Sequence, residues 1–333
     1  MVRMLLLVVV CIGLLPIQMR AQKNSYIIPG EVWKDTDGNP INAHGGGLLY
    51  HDGTYYWYGE YKKGKTILPD WATWECYRTD VTGVGCYSSK DLLNWKFEGI
   101  VLPAVKEDPN HDLHPSKVLE RPKVIYNKKN DQYVMWFHYS KACAGVAVSD
   151  FPNGPFTYLG SFRPNNAMSR DQTVFVDDDG RAYQFYSSEN NETMYISLLT
   201  DDYLKPSGRF TRNFIKESRE APAVFKHKGK YYMLSSGCTG WDPSLADSIM
   251  GTWKTIGNPC TGPDADKTFY AQSTYVQPVI GKKNAYIAMF DRWKKKDLED
   301  SRYVWLPVLI KDGAITIPWH EKWDLTVFDK QKK

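Results

Sequence analysis

The chain lacks the features that mark several large protein classes. It has no run of basic residues interleaved with aromatics, and its formal net charge of +4 over 333 residues is mild, so nucleic acid is not an expected partner. Its six cysteines form no CxxC pair and no cysteine–histidine cluster with zinc spacing, which argues against a structural metal site. Because sustained helical periodicity and a Gly/Ser/Pro-rich linker are also missing, we expect a single domain that is not a helical bundle.

The first 21 residues have the form of a signal peptide. Arg3 precedes an apolar run over residues 4–16, and Ala21 supplies a small residue for cleavage. The run is too short to span a bilayer, although a buried first helix would also be apolar. We therefore predict a signal peptide over residues 1–21, a mature chain over residues 22–333 without a membrane span, and a periplasmic or extracellular location.

Export makes disulfide bonds possible for the cysteines of the mature chain. Their spacing would allow Cys76 to pair with Cys86, and Cys238 to pair with Cys260. With Cys143 the mature chain has an odd number of cysteines, so at least one thiol must stay free.

One pattern recurs five times along the chain. A polar residue precedes an apolar run, the run ends in a polar turn, and a second aromatic run follows, which predicts a β-hairpin. The apolar runs begin near residues 45, 121, 172, 221 and 271, at intervals of 76, 51, 49 and 50 residues. The charged and aromatic segment 61–80 accounts for the longer first interval and is a candidate rim loop.

A repeat of about 50 residues with about four strands is typical of a β-propeller. We therefore predict an all-β fold, a five-bladed β-propeller in a single domain. A two-sheet sandwich is the competing fold, but it would not require a constant interval. Aromatic residues make up 14% of the chain, with 12 Trp and 22 Tyr; they favour strands and also provide flat surfaces that bind sugars.

Residues at the same position of each repeat should converge on one end of the propeller channel. These entrance positions hold carboxylates, a guanidinium, an imidazole and an amide: His44, Glu120 with Arg121, Asp171, Glu220 and Gln272. Any one of them alone could be a solvated turn residue or a cap, but their recurrence in register predicts a site. Several carboxylates without a Ser/His/Asp set suit glycosidic bond hydrolysis, which needs a protonated acid and a second group that activates water.

Three short motifs resemble glycoside hydrolase family 43, namely Ser169-Arg170-Asp171, Glu220-Ala221-Pro222 and Asp291-Arg292-Trp293. Residues 42–47, 120–125 and 134–138, together with Gly240-Trp241, are similar to the exo-β-1,3-galactanase branch of that family. The resemblance extends from about Asn42 to Trp305. It implies a five-bladed propeller that hydrolyses glycosidic bonds.

The resemblance also implies catalytic roles. Glu220 would be the general acid, and Asp171 would raise its pKa and orient it. The typical family member has an aspartate as general base where this chain has His44, and in the galactanase branch the proposed substitute matches Gln272. Because a neutral amide is a poor base, Gln272 would act as its imidic tautomer or position the water, and Glu60 and Glu120 are alternative bases.

Substrate-binding residues follow from the same resemblance. It implies that Glu60 and Glu120 bind sugar hydroxyls, with Arg121 fixing Glu120. Trp241 is the expected stacking platform, although a core tryptophan between blades would look the same in sequence. Tyr139 and Thr239 are further pocket candidates. The glycines at 45–47 indicate close packing at the channel, since no P-loop Lys-Ser/Thr follows them.

The predicted function is that of an exported, inverting exo-glycosidase that releases galactose from β-1,3-galactan, the backbone of arabinogalactan. We expect a monomer that acts on a polysaccharide or oligosaccharide and needs no cofactor or metal. Two alternatives stay open. One is an α-L-arabinofuranosidase or β-xylosidase of the same family, and the other is a non-catalytic carbohydrate-binding propeller.

Overall fold

The computed structural model describes residues 23–67, 78–237, 240–241 and 243–332. Its strands form five mainly antiparallel sheets, and the innermost strand of each sheet packs against the innermost strands of two neighbouring sheets. The innermost strands follow one another around a closed ring, in the order β1 (His44–His51), β5 (Leu119–Asn127), β9 (Gln172–Val176), β13 (Glu220–His227) and β19 (Gln272–Pro278), and β19 contacts β1. The chain is therefore the predicted five-bladed β-propeller.

The blades follow one another along the chain. Blade one holds β1 (His44–His51), β2 (Thr54–Ile67), β3 (Arg78–Ser89) and β4 (Lys96–Pro103). Blade two holds β5 (Leu119–Asn127), β6 (Gln132–Tyr139), β7 (Cys143–Ser149) and β8 (Thr157–Phe162). Blade three holds β9 (Gln172–Val176), β10 (Ala182–Ser188), β11 (Thr193–Leu199) and β12 (Pro206–Asn213).

The last two blades are less regular. Blade four holds β13 (Glu220–His227), β14 (Lys230–Gly237), β15 (Gly240–Trp241), β16 (Ser244–Ala246) and β17 (Lys254–Thr255). Blade five holds β18 (Cys260–Thr261), β19 (Gln272–Pro278), β20 (Tyr286–Arg292), β21 (Arg302–Lys311) and β22 (Ala314–Pro318). Strand β18 lies at the outer edge and pairs parallel with β22. Short 3-10 helices span Pro164–Asn166, Ala265–Tyr270, Leu298–Asp300 and Leu325–Lys332.

The hairpins of blades one and four have the polar turns that the sequence predicted. Two-residue turns join the first two strands of blades one and four. In the first, Asp52 and Gly53 have φ of 44° and 73°, and in the second, Lys228 and Gly229 have φ of 47° and 78°. Two successive left-handed residues match the right-handed twist of the strands that they connect, as in type I′ turns.

The long segment in blade one differs from the predicted rim loop. Strand β2 continues to Ile67 and β3 begins at Arg78, and Lys63 pairs with Asp80 in the ladder between them. The described parts of segment 61–80 therefore lengthen the hairpin. Residues 68–77 lie outside the described part of the chain.

The core fills the gaps between blades. Five apolar clusters each combine side chains from two adjacent blades. Between blades one and five the cluster is rich in tryptophan, and the ring of Trp57 lies 4.7 Å from that of Trp305 and 5.3 Å from that of Trp95. Ile27 and Trp323 exchange backbone hydrogen bonds of 2.7 and 3.0 Å on the same side. Much of the aromatic excess therefore stabilises the closure of the ring.

The predictions about cysteines and export are only partly covered by the structure. Cys86, Cys143 and Cys260 carry free thiols, whereas Cys76 and Cys238, the suggested partners of Cys86 and Cys260, lie outside the described residues. Among the described residues, no helix is both long and apolar enough to span a bilayer. Residues 1–22 lie outside the description.

Candidate active site

A cavity of about 350 Å³ opens at the end of the ring where the inner strands begin. Charged and polar side chains from all five blades line it: Glu60, Lys62, Glu120, Arg121, His138, Arg170, Asp171, Asn191, Glu220, Gln272, Trp293 and Lys295. Six of the nine residues predicted for the site are therefore brought together: Glu60, Glu120, Arg121, Asp171, Glu220 and Gln272. A wall of this composition suits a small ligand with many hydroxyl groups.

A shared backbone irregularity turns the chain at the entrance of three blades. The ladders of β1, β5 and β13 each shift register directly after the entrance residue. At that point Gly45, Arg121 and Ala221 have φ of 59°, 53° and 55°. Such bulges re-aim side chains at sheet ends. Of the three entrance residues, Glu120 and Glu220 line the cavity and His44 does not.

Gly45 can take this conformation because it has no side chain. A Cβ atom there would collide with Oε1 of Glu60 and would lie 3.3 Å from the backbone nitrogen of Arg121. We expect Gly45→Ala to reduce the free energy of unfolding by more than the ~1–2 kcal/mol that a left-handed conformation costs an ordinary residue. Gly53→Ala is the matched control, because Gly53 has φ of 73° but no atom within 4 Å of the added Cβ. Equal urea midpoints for the two variants would contradict the predicted clash.

Arg121 connects three blades at the floor of the cavity. Its Nε lies 2.9 Å from Oδ1 of Asp171, and its two terminal nitrogens donate to Oε1 of Gln272 and to the carbonyl of Ser273. The side chain is 4% exposed. Burial lowers the pKa of Arg121, but the neighbouring carboxylates, Asp171 first, raise it above its ordinary value. A planar guanidinium can bind all these acceptors at once because its donors have fixed directions.

The Gln272 amide is held by four hydrogen bonds. Its oxygen accepts from Arg121 and, at 3.1 Å, from Nε1 of Trp293. Its nitrogen donates to Oε2 of Glu220 at 3.2 Å and to the hydroxyl of Ser236 at 3.3 Å. Arg and Trp can only donate, so the atom facing them must be the carbonyl oxygen. The contacts thus fix the orientation of the amide.

A strained turn precedes Gln272 in the chain. Thr268, Phe269 and Tyr270 have φ of 53°, 57° and 54° in succession, which is costly for residues with a side chain. Arg292 holds the turn by donating from Nε and from a terminal nitrogen to the carbonyl of Phe269, at 3.1 and 2.9 Å. The inner strand of blade five therefore begins from a rigid support.

Glu220 lies in the centre of these contacts. Asn191 donates to its Oε1 and Gln272 to its Oε2. Burial raises the pKa of Glu220, and the negative charge of Asp171 raises it further, while Arg121, Arg170 and the Gln272 hydrogen bond lower it. The net direction is upward, so Glu220 holds its proton to higher pH than an ordinary glutamate.

Two further carboxylates have close cationic or imidazole partners. Glu60 forms a buried ion pair with Lys62, with 2.6 Å between Oε2 and Nζ, and its Oε1 accepts from the backbone nitrogen of Arg121 at 2.9 Å. Glu120 lies opposite His138 in the ladder, with 3.1 Å between Oε2 and Nδ1. Burial lowers the pKa of Lys62, but the charges of Glu60 and Glu120 raise it above its ordinary value. Burial raises the pKa of Glu60 in spite of Lys62, whereas the His138 hydrogen bond and nearby cations outweigh burial and lower the pKa of Glu120.

His44 lies behind the cavity wall. It is completely buried, and its ring stacks on that of Tyr303 at 5.2 Å. Burial, together with the charge of Lys62, lowers its pKa to about 3. His44 is therefore uncharged, and it is not among the residues that line the cavity, although the sequence pattern placed it with the entrance residues.

The structure describes the three remaining predicted residues, Tyr139, Thr239 and Trp241, to different extents. Tyr139 is 5% exposed and does not line the cavity; burial and the Asp112 carboxylate raise its pKa to about 12. Thr239 lies outside the described residues, and of Trp241 only the backbone is described, in β15. That backbone pairs with Ser236, whose hydroxyl contacts Gln272, so Trp241 belongs to the strand beside the cavity.

Six lining residues were not predicted: Lys62, His138, Arg170, Asn191, Trp293 and Lys295. Simple strand geometry would have found two of them. Lys62 follows Glu60 by two positions and therefore lies on the same face of the strand. His138 is the cross-strand partner of Glu120 in the ladder between β5 and β6, and counting residue pairs outward from the hairpin turn would have matched the two. Asn191 and Lys295 come from connections between strands, where periodicity gives no guidance.

Glu120, His138 and Asp171 each place one potential ligand atom within 4.8 Å of the others. A cation could use such a set. In the described residues Oδ1 of Asp171 is paired with Arg121, and Oε2 of Glu120 contacts His138.

Comparison with known families gives one match over most of the chain. The profile of the family described as Glycosyl hydrolases family 43 matches residues 48–268. A search of curated proteins found no match.

Solved structures with the same architecture include three close relatives. A GH43 β-1,3-galactosidase with galactodeoxynojirimycin is 42% identical, with a TM-score of 0.83 and coverage of 90% of this chain and 100% of that chain. A second GH43 β-1,3-galactosidase is 41% identical, with a TM-score of 0.85 and coverage of 93% and 65%. An exo-β-1,3-galactanase from Phanerochaete chrysosporium with β-1,3-galactotriose is 34% identical, with a TM-score of 0.80 and coverage of 94% and 70%.

Proposed function

The chain belongs to glycosyl hydrolase family 43 and is a glycoside hydrolase acting on O-glycosyl bonds, and on that premise we propose that it is an exported exo-enzyme that releases galactose from β-1,3-galactan with inversion. The names of its structural relatives support galactose and the β-1,3 linkage. The signal-peptide pattern of residues 1–21 supports export, and arabinogalactan is a polysaccharide that would supply such a backbone.

One observation carries the proposal, the environment of Glu220. Its pKa is raised by burial and by Asp171, and it lines a cavity near the small end of the ~300–1000 Å³ range of ligand sites. A carboxylic acid that stays protonated near neutral pH can donate to the oxygen of a leaving sugar.

We assign Glu220 as the general acid and Asp171 as the residue that raises its pKa. We expect Asp171→Asn to move the alkaline limb of kcat/KM to lower pH. The substitution removes a negative charge beside Glu220 and leaves the Arg121 charge uncompensated, and both changes favour loss of the Glu220 proton. Measurement of kcat/KM across pH, with the exposed Asp150→Asn as control, checks this. An unmoved limb would mean that Asp171 does not control the acid.

Gln272 is the proposed partner of Glu220 in the reaction. Its amide nitrogen donates to Oε2 of Glu220 and its oxygen accepts from Arg121, so the amide lies beside the acid. We propose that Gln272 positions the attacking water or accepts its proton as the imidic tautomer. Glu60 and Glu120 are the alternative bases, and each already has a partner, Lys62 for Glu60 and His138 for Glu120.

The other lining residues bind the sugar in this proposal. Glu60 and Arg121 supply polar contacts on the floor of the cavity, and Trp241 stacks on the apolar face of galactose. Ser236, the partner of Trp241 in the ladder, contacts Gln272 at 3.3 Å, so the backbone of Trp241 belongs to a strand next to a cavity residue, which supports this role.

The test is a substrate panel with the purified mature chain. We expect galactose from β-1,3-galactobiose and from debranched β-1,3-galactan, with no arabinose or xylose from aryl α-L-arabinofuranosides or β-xylosides. Arabinose or xylose without galactose would overturn the galactanase proposal in favour of another specificity. Binding of galacto-oligosaccharides without turnover would identify a non-catalytic propeller.

A further inference from the structure

Two buried charged side chains meet next to the floor of the cavity. Lys123 and Asp291 are 1% and 2% exposed, and neither lines the cavity. Nζ of Lys123 donates to the carbonyl of Gly45 at 2.7 Å, and the backbone N–H of Gly45 donates to Oδ2 of Asp291. Both polar groups of the Gly45 backbone are therefore bound by side chains from other blades, Lys123 on β5 of blade two and Asp291 on β20 of blade five.

Gly45 is in contact with the groups that form the floor. A Cβ atom added to it would collide with Oε1 of Glu60 and would lie 3.3 Å from the backbone nitrogen of Arg121. That nitrogen donates to the same Oε1 at 2.9 Å, and the Arg121 guanidinium binds Asp171 and Gln272. A displacement of Gly45 would therefore move Arg121 and, with it, the two partners of its guanidinium.

The stem of Lys123 has a fitted place in the channel. A Cβ atom at Gly47 would lie 2.5 Å from Cδ of Lys123 and 3.3 Å from its Cε, so the stem passes over a position that only glycine leaves open. Gly45, Lys123 and Asp291 belong to three separate motifs of the sequence, and the fold brings them to one point. Their meeting gives a reason for motif residues that do not line the cavity.

The two contacts with Gly45 do not require a full charge on either side chain. Burial lowers the pKa of Lys123 to about 7, with a further contribution from the charge of Arg121. Burial also raises the pKa of Asp291 to about 7. A neutral amine still donates a hydrogen bond, and a protonated carboxyl group still accepts one at its carbonyl oxygen, so both contacts persist in either protonation state.

We propose that Lys123 and Asp291 are positioning residues that clamp the backbone of Gly45. The clamp holds Arg121 in the place from which its guanidinium orients the groups that carry out the reaction. The inference rests on the proposed function. Because a misplacement of about 1 Å can cost about a hundredfold in rate, loss of either contact should lower kcat although neither side chain reaches the sugar.

The first experiment compares Asp291→Leu with Asp291→Asn. Leucine has a similar shape but removes the acceptor of the Gly45 N–H, whereas asparagine keeps an oxygen that can accept it. With β-1,3-galactobiose we expect D291L to lower kcat about 10- to 100-fold, with a smaller change in KM, and D291N to recover most of kcat. Rates are compared at a temperature at which circular dichroism shows each variant to be folded.

The second experiment removes the other half of the clamp. Lys123→Met keeps the stem and loses the donor, so K123M should lower kcat over the same range. Because both side chains act through Gly45, the double variant K123M/D291L should lose no more than about threefold beyond the more impaired single variant. Lys226→Met is the matched control: Lys226 pairs with Asp177 near the end of β13 that is remote from the cavity, and this variant should keep kcat and KM.

The outcomes separate the two proposals. If the wild type releases no galactose, the proposed substrate fails, and the same comparison on the aryl glycoside that the wild type hydrolyses tests the clamp by itself. If the wild type hydrolyses no glycoside, both proposals fail.

With an active wild type, three results would overturn the clamp: wild-type kcat in folded D291L or K123M, D291N as impaired as D291L, or additive losses in the double variant. Should leucine prevent folding, Asp291→Ala replaces it, because alanine also lacks an acceptor, and the same loss of kcat is expected.

Discussion

Glu220→Gln is expected to lower kcat on β-1,3-galactobiose by about 1000-fold, within the range that a general acid contributes. Glutamine keeps the shape of the side chain: its oxygen can accept from Gln272, and its nitrogen can donate to Asn191 once the Asn191 amide is reversed. It has no acidic proton to donate to the leaving oxygen. Binding of the disaccharide, measured by calorimetry, should change less than about threefold because the cavity is otherwise intact.

Glu107→Gln is the matched control for this variant, since Glu107 is exposed and does not line the cavity. It should keep wild-type kcat and binding. Turnover by Glu220→Gln close to that of the wild type would remove Glu220 from the role of acid. Loss of binding together with turnover would indicate that Glu220 holds the cavity together.

Arg121→Met should have the largest combined effect on stability and turnover. The substitution leaves Asp171 without its cation, and it removes donors from Gln272 and from the carbonyl of Ser273. Breaking a buried ion pair on one side typically costs about 3 kcal/mol or more of folding free energy. Because Gln272 also contacts Glu220, we expect kcat to fall at least about 100-fold in the protein that folds.

Two variants separate the contributions of Arg121. Arg121→Lys keeps the charge near Asp171 but cannot reach three acceptors with fixed geometry, so it should recover stability better than turnover. Arg181→Met removes an exposed pair, in which Arg181 and Asp179 are 57% and 46% exposed, and should cost no more than about 1 kcal/mol. Urea unfolding of all three variants provides the comparison. Similar losses for Arg121→Met and Arg181→Met would contradict a central role for Arg121.

The constant interval between hairpins was enough to predict the architecture. Blades are repeats of one supersecondary unit, so spacing and turn residues fix how many there are and where each begins. The same register placed Glu220 and Gln272 at the first residues of β13 and β19. Periodicity predicts the position of a residue along an inner strand, and it predicts which end of the channel that residue approaches.

Contacts between blades could not be predicted in this way. Arg121 donates to the carbonyl of Ser273, a residue 152 positions away, and no local pattern encodes that distance. His44 has the entrance position in blade one but is buried behind the wall on Tyr303. Tyr139 ends β6, and its burial beside Asp112 follows from a connection that has no periodic pattern. These outcomes depend on how side chains pack between sheets.

Proton NMR during the early hydrolysis of debranched β-1,3-galactan tests the central claim most directly, because the galactose then comes from non-reducing ends and the leaving group is the shortened chain. If Glu220 protonates the leaving oxygen while water attacks the opposite face of the sugar, the first galactose released from the β-linkage carries the α-configuration. The β-anomer should then grow more slowly by mutarotation. Immediate release of β-galactose would indicate a covalent intermediate with retention, and the absence of galactose would contradict the proposed substrate.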